Sequence, residues 1–293
     1  MHKLRDIGIT GRLGVWFYHF LSDRSQFVRV AGGTSTDGPV ISGVPQGTVL
    51  GPLLFTILML NIDSGVCDSR IISFADDTRL YSNITCIEQC DFLQTDLNSV
   101  YEWATVNNMM FNSNKFNYMS FHVASTVLSS NAYTDPDMNL IDQTDHIKDL
   151  GITMSYNCDF EQHILSLCKR CSNLSGWILR TFVSRDSDTM LILFKSLVLS
   201  RLEYGSQLWS PYKIKHITAV EKIQRSFTKH ISGMRDLSYA ERLCALRLYS
   251  LQRHRERYII IYVWKILESM VPNLSLFMYS ISYLYWSFRY FIV

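Results

Sequence analysis

Arg70 to Tyr81 places apolar residues on both sides of an Asp76-Asp77 pair, and this stretch constrains the fold more than any other. Ile71-Ile72 before the pair and Leu80-Tyr81 after it read as the two arms of a hairpin, with the carboxylates at its tip. A hairpin commits its neighbourhood to antiparallel pairing. Adjacent aspartates in isolation are ordinarily a solvated turn. Held at a rigid bend, they suit hard divalent cations, which take oxygen ligands and bridge to phosphates.

Upstream lies a second unusual segment, Ser42-Gly43-Val44-Pro45-Gln46-Gly47-Thr48-Val49-Leu50-Gly51-Pro52, followed by the apolar run Leu53 to Leu60. Three glycines at a four-residue interval let a ligand approach the backbone, and Gln46 offers both a donor and an acceptor. The spacing predicts a glycine-rich loop feeding a buried helix, with Pro52 tolerated only near the first turn. Alone, the segment would be a tight turn before a core helix. A short helix around Leu13, Trp16, Phe17, Phe20 and Leu21 is expected to open the chain. Gln26 to Val30 reads as a strand ending in a turn at Gly32-Gly33, with Pro39 to Ile41 as its return partner.

Glu88 to Val106 has a helical stripe of Leu93, Leu97, Val100 and Ala104. Phe116 to Val123 and Ile147 to Met154 read as strands, the second around Gly151, with a polar exposed loop or weak hairpin at 124–146. Beyond Asp159 the pattern is helical. Stripes run from Ile164 to Ile178, from Met190 to Leu202 and from Ile217 to Ile231, and Ser238-Tyr-Ala-Glu241 forms a capping-box pattern. Five tryptophans, at 16, 103, 177, 209 and 264, lie among apolar neighbours and read as core.

Charge divides the chain in the same place. The net charge is only +2, yet residues 1–158 carry 9 Lys/Arg against 16 Asp/Glu, and residues 159–257 carry 17 against 9. The basic part points to a polyanionic partner. Seven cysteines without regular spacing, behind a start that lacks an apolar secretory segment, argue for reduced thiols and an intracellular protein of nucleus or cytoplasm. Cys168-Lys-Arg-Cys171 has a zinc-like spacing but no second pair follows it.

Together the segments at 42–55 and 74–77 resemble the reverse transcriptases of non-LTR, LINE-like (jockey-type) retrotransposons. Val44-Pro45-Gln46-Gly47 looks like their motif B and Phe74-Ala75-Asp76-Asp77 like their metal-binding motif C. Asn112-Ser-Asn-Lys115 resembles motif D, and Asp149-Leu-Gly151-Ile152 resembles motif E. The likeness continues through Leu202-Glu-Tyr204, Trp209-Ser-Pro211 and Glu221-Lys-Ile-Gln-Arg225, over roughly residues 1–270.

The resemblance implies an α+β fold, a polymerase palm with an antiparallel sheet and packed helices over 1–156, followed by a helical thumb-like bundle over 157–270. An apolar tail of unrecognised kinship, 271–293, would close the chain. It further implies RNA-directed DNA synthesis by two-metal nucleotidyl transfer, with Mg²⁺ (or Mn²⁺), RNA template, DNA primer and deoxynucleotides. Asp76 and Asp77 would hold the metals, and Lys115 would protonate the pyrophosphate. Phe74 would lie against the primer end, Pro45, Gln46 and Gly47 would border the nucleotide and template base, and Gly151 would lie at the primer grip. Basic helices within 159–257 would contact the phosphate backbone.

The family's motif A aspartate, which normally faces motif C, has no counterpart here. The segment beginning His2-Lys3-Leu4-Arg5 matches the region just after it. The expectation is therefore a chain truncated at its N-terminus that extends no primer. The alternative function is a catalytically inactive remnant that at most binds nucleic acid. Residues 274–293, apolar with only Arg289 charged, have the length of a membrane span but carry four serines, and a membrane partner is not expected.

Overall fold

A computed structural model describes residues 1–109, 111–112, 115–121, 132–271 and 290–292. Along the chain it places α1 (His2–Asp6), α2 (Gly11–Leu21), β1 (Arg24–Gln26), β2 (Arg29–Val30), β3 (Gly33–Thr34), β4 (Gly38–Val40), α3 (Leu50–Met59), β5 (Arg70–Phe74) and β6 (Asp77–Ser82). There follow α4 (Glu88–Val106), β7 (Asn117–Met119), β8 (Asp142–Gln143), β9 (His146–Asp149), β10 (Ile152–Ser155) and α5 (Glu161–Thr181). The remainder is α6 (Ser187–Leu193), a π-helical stretch (Phe194–Leu199), α7 (Ser200–Glu203), α8 (Ser206–Trp209), α9 (Ile214–Thr228), α10 (Tyr239–Ala245), α11 (Leu251–Leu267) and β11 (Tyr290–Ile292). The fold is α+β with small antiparallel sheets. No helix among the described residues is long and apolar enough to cross a membrane.

The described residues form two compact units, one of Met1–Tyr118 with 132–142 and Tyr290–Ile292, the other of 119–121 with 143–271. In the first, α4 is the scaffold. Its acidic first turn (Glu88, Asp91) complements the helix dipole, and Cys90, Leu93, Leu97 and Tyr101 pack with Leu80 and Ile84 around β6. A neighbouring stripe, Val100, Trp103 and Ala104, packs with Ile62. β5 and β6 belong to a sheet of order β5-β6-β11-β7-β8. The expected hairpin is thus present, with Arg70 opposite Tyr81 and Phe74 opposite Asp77.

Several expectations need correction. The strand expected over Gln26–Val30 is broken. β1 pairs with β4, while β2 turns back on β3 within a separate small ladder, because Gly32, at φ 86°, supplies a tight reversal. Helix α3 buries only Gly51, Leu54 and Ile57 and leaves Leu53 exposed, so it is one-sided rather than buried throughout. Ile147–Met154 is a hairpin and not one strand. β9 pairs with β10 through Leu150 and Gly151, both at positive φ, the geometry of a two-residue turn. Trp16, Trp177 and Trp264 are about half exposed, whereas Trp103 and Trp209 are buried. Of the polar stretch at 124–146, residues 124–131 lie outside the described residues. The rest includes a single bridge, Thr134 to Leu140, and buries Tyr133 and Ile141. Of the tail, Val271 and Tyr290–Ile292 are described, the latter as a strand beside β6.

In the second unit, the expected stripes converge on one core. Ile164, Leu167, Cys171 and Ile178 from α5 meet Met190, Phe194, Val198 and Leu202, and Val220, Ile223 and Phe227 of α9. The Phe194 and Phe227 rings lie 4.8 Å apart, tilted by 31°. The capping box at Ser238 and Glu241 is formed in both directions. The β9–β10 hairpin is held against these helices by polar contacts. Tyr204 Oη donates to the Leu150 carbonyl (2.9 Å), Trp209 Nε1 donates to the Tyr204 carbonyl (2.8 Å), and the Thr153 amide donates to His163 Nδ1 (3.3 Å).

Two consequences are measurable. Gly205 sits at φ 60°, and a Cβ there would meet Ile152 Cδ1 at 2.6 Å. Gly205→Ala should cost about 1–2 kcal/mol in backbone strain plus the clash. Ile152→Val deletes Cδ1, so the double variant should lose less stability than the two singles together in urea unfolding. Burial first, and Arg170 second, holds the His163 pKa below the ordinary histidine value. The unfolded chain then takes up a proton that the fold resists. Stability should therefore fall as pH drops through the ordinary histidine range, and His163→Gln should flatten that dependence in thermal unfolding between pH 7.5 and 5.5.

Candidate nucleotidyl-transfer site

Each expected site residue sits where local backbone chemistry puts it. In the Pro45–Gly51 segment, Thr48 winds the loop into a coil. Its Oγ1 donates to the Pro45 carbonyl (2.8 Å) and accepts from the Gly51 amide (3.1 Å). A Cβ on Gly51 would lie 3.0 Å from the Pro45 carbonyl oxygen, so any larger residue would have to push the coil apart slightly. Gly43 and Gly47 both have positive φ. Arg24 fastens the loop to the end of α2, donating from Nε to the Leu21 carbonyl (2.9 Å) and from Nη2 to the Gly43 carbonyl (2.5 Å). Pro45 is half-buried, while Gln46 and Gly47 face solvent at the crest of the coil.

The β5–β6 hairpin closes through two residues, Ala75 and Asp76. Ala75 has φ 54°, a region that costs a residue with a Cβ about 1–2 kcal/mol. Glycine would relieve it, so the turn carries strain at the site where the carboxylates are presented. Asp77 is the first residue of β6, directly across the ladder from Phe74. Asp76 and Asp77 are exposed, and Phe74 is 63% exposed, an aromatic surface left open beside two acids. A Ser73–Thr78 hydroxyl pair (3.1 Å) braces the arms below the tip.

Lys115 is exposed and its amide donates to the Asn112 carbonyl (2.9 Å). Residues 113 and 114 of that motif lie outside the described residues. Gly151, at φ 84°, occupies the β9–β10 turn. Pro45, Gln46, Gly47, Phe74, Asp76, Asp77 and Lys115 belong to the first unit, Gly151 to the second.

The donor set at the tip suits Mg²⁺, which in phosphate-transferring sites takes one or two carboxylates and fills its shell with substrate phosphates and water. Two exposed carboxylates on a rigid turn meet that need. Among the described residues, no third His, Cys, Asp or Glu side chain joins them.

Sequence reading missed the residue beneath this hairpin. Asp96, only 2% exposed, reaches from α4 to accept three backbone N–H bonds, from Cys67 (2.8 Å), Asp68 (3.0 Å) and Ser69 (2.6 Å). β5 begins at the next residue. The available signal was a carboxylate three residues after Leu93, adjoining the apolar stripe of α4.

Comparison with known proteins bears directly on these segments. The family model for reverse transcriptase (RNA-dependent DNA polymerase) matches residues 1–154, which include both motif-bearing loops. The RNA-directed DNA polymerase from mobile element jockey of Drosophila funebris is 28% identical over 208 residues, covering 66% of this chain and 22% of that protein. The probable RNA-directed DNA polymerase from transposon X-element of Drosophila melanogaster is 26% identical over 266 residues, 81% of this chain and 28% of that protein. A third similar protein, the probable RNA-directed DNA polymerase from transposon BS of the same species, is 27% identical over 226 residues, 73% of this chain and 25% of that protein. The chain spans about a quarter of the length of these relatives. With its family match covering more than half of its length, and transposon polymerases as its relatives, the chain belongs to the reverse transcriptase family and is a domain of the non-LTR, LINE-like kind.

Proposed function

We propose that the chain is a part of an RNA-directed DNA polymerase, with residues 1–156 as palm and 157–270 as a thumb-like bundle. The observation that carries this reading is the strained two-residue turn that exposes Phe74, Asp76 and Asp77 at one tip. Asp76 and Asp77 are the residues that would hold Mg²⁺ or Mn²⁺. When bound, such ions stabilise the attacking and leaving oxygens of an in-line phosphoryl displacement. Phe74 offers the primer end an apolar face. Gln46 and Gly47, on their coil, border the nucleotide and its template base, Gln46 through its amide and Gly47 through the absence of a side chain. Pro45 fixes the entry to that coil. Lys115 carries a proton for the departing pyrophosphate, and the Gly151 turn lies against the primer strand.

Template, primer and deoxynucleotides are the implied partners. Lys222 and Arg225 lie exposed on α9 and Lys229 directly after its end, and Lys169 and Arg170 lie exposed on α5. These surfaces suit contact with the phosphate backbone, which releases counterions and gives a steep salt dependence.

A second reading rests on the donor count. Two carboxylates from one hairpin, with no third ligand among the described residues, leave a two-metal centre short of an opposing carboxylate. In that reading the chain binds nucleic acid without extending a primer.

One set of measurements separates the readings. Primed RNA template should bind with an affinity that drops by orders of magnitude, roughly 10³-fold, between 50 and 200 mM salt if six or more phosphates are neutralised. Primer extension with Mg²⁺ or Mn²⁺ should fall at least about 100-fold in Asp76→Ala. Salt-dependent binding without extension selects the second reading. Extension that survives Asp76→Ala removes the hairpin from the chemistry, and absence of binding at low salt removes both readings.

A further inference from the structure

We propose that Asp96 is a positioning residue for the carboxylate hairpin, the fixed point from which Asp76 and Asp77 are aimed. The inference deepens the reading of that tip as a metal-bearing site and rests on it. The two arms of the hairpin are held in unlike ways. β6 is anchored through its middle, with Arg79, Leu80 and Tyr81 all buried. In β5, Arg70, Ile72, Ser73 and Phe74 are exposed, and only Ile71 is partly packed. Side-chain burial therefore does little to place β5. Its position depends on the ladder to β6 and on where the chain enters the strand.

That entry is set by Asp96. Three consecutive amides, at Cys67, Asp68 and Ser69, converge on its carboxylate, with Oδ1 taking the first and Oδ2 the other two. Consecutive N–H groups aimed at one anion form a rigid concavity, and bonds to an ionised acceptor are shorter and stronger than neutral ones. One turn along α4 the same loop is pressed against the helix, where a Cβ on Gly65 would come within 2.9 Å of Ser99 Cβ. The entry to β5 is thus clamped at two points on α4. Five residues beyond Ser69 the strand ends at Phe74, opposite Asp77. A rotation at the clamp is carried through an extended arm of that length to the tip. Carboxylates that would hold a metal ion against a reacting phosphate tolerate little such displacement.

An asparagine at position 96 keeps the shape, removes the charge and replaces one acceptor oxygen by a donor facing amide donors. The measurement is amide exchange on the whole chain, paired with Mn²⁺ titration followed by the signal of the free ion. Phe17→Leu, at a buried core position of α2 in the same unit but in a separate cluster, is the control for general destabilisation. Asp96→Asn should speed exchange over 69–78 at least ten-fold beyond the control at matched stability, and should weaken Mn²⁺ binding at least five-fold. Phe17→Leu should leave the Mn²⁺ dissociation constant within two-fold. Asp96→Glu, which keeps the charge and moves it by one methylene, should restore part of both and serves if the asparagine variant does not fold.

Hairpin exchange no faster than in the control, or Mn²⁺ affinity unchanged in both position-96 variants, overturns the assignment. Should wild-type Mn²⁺ binding be indifferent to Asp76→Ala, the metal reading of the tip fails instead. The exchange comparison then decides alone whether Asp96 aims the hairpin.

Discussion

The carboxylate of Asp96 lies out of water and is stabilised by the backbone amides of Cys67, Asp68 and Ser69. A buried carboxylate without such partners would cost several kcal/mol. The contact ties α4 to the loop at 61–69. The packing of Leu93, Leu97 and Tyr101 on one face of α4 and of Val100 and Trp103 on another then transmits that lock to β6 and to the loop before β5. Exposed chemistry at the hairpin tip is held from beneath by a polar contact, with apolar burial acting mainly on one arm.

The second unit repeats this logic with different residues. Glu221 accepts from the amides of Leu251 and Gln252 at the start of α11, 3.1 and 3.2 Å away, and from the Tyr239 hydroxyl. Gln224, one turn on, donates to the Tyr249 carbonyl (2.8 Å) and to Tyr239 Oη (3.1 Å). Burial and the Glu221 contact both push the Tyr239 pKa up, so the phenol stays a donor. Lys222 and Arg225, between and beside them in sequence, face solvent. One helix therefore divides its polar residues: Glu221 and Gln224 fasten α10 and the start of α11, while Lys222 faces solvent and Arg225 lies over the Tyr239 ring, 4.7 Å from its centroid.

What the sequence made legible was local. The hairpin at 70–81, helix α4 and the capping box at Ser238 are each specified by residues within a few positions of one another, and each formed where the pattern placed it. The β9–β10 turn was hidden because Leu150 takes a left-handed backbone that leucine rarely adopts, so no turn residue marked it beyond Gly151. Tyr204 Oη on the Leu150 carbonyl supplies compensation from 54 residues away. Asp96 was hidden for a related reason: its partners are backbone amides 27 to 29 residues distant, and amides leave no mark in a sequence. The half-exposed tryptophans were misread because an apolar neighbourhood in sequence says nothing about which side of a helix meets the core.

The placement of strain follows from the same division. Ala75 holds a left-handed conformation at a tip that makes few packing contacts, a position from which strain would normally relax by fraying the turn. Fraying is resisted because the ladder below is continuous from Arg70–Tyr81 to Phe74–Asp77 and because the Ser73–Thr78 hydroxyls close it near the top. Opening the turn would therefore require breaking the uppermost rungs, at about 1 kcal/mol for each hydrogen bond, against a relief of similar size. The balance is close, and any loosening where β5 enters its strand lowers the cost of opening. A clamp beneath the exposed arm thus favours the closed turn on which the two adjacent carboxylates are presented.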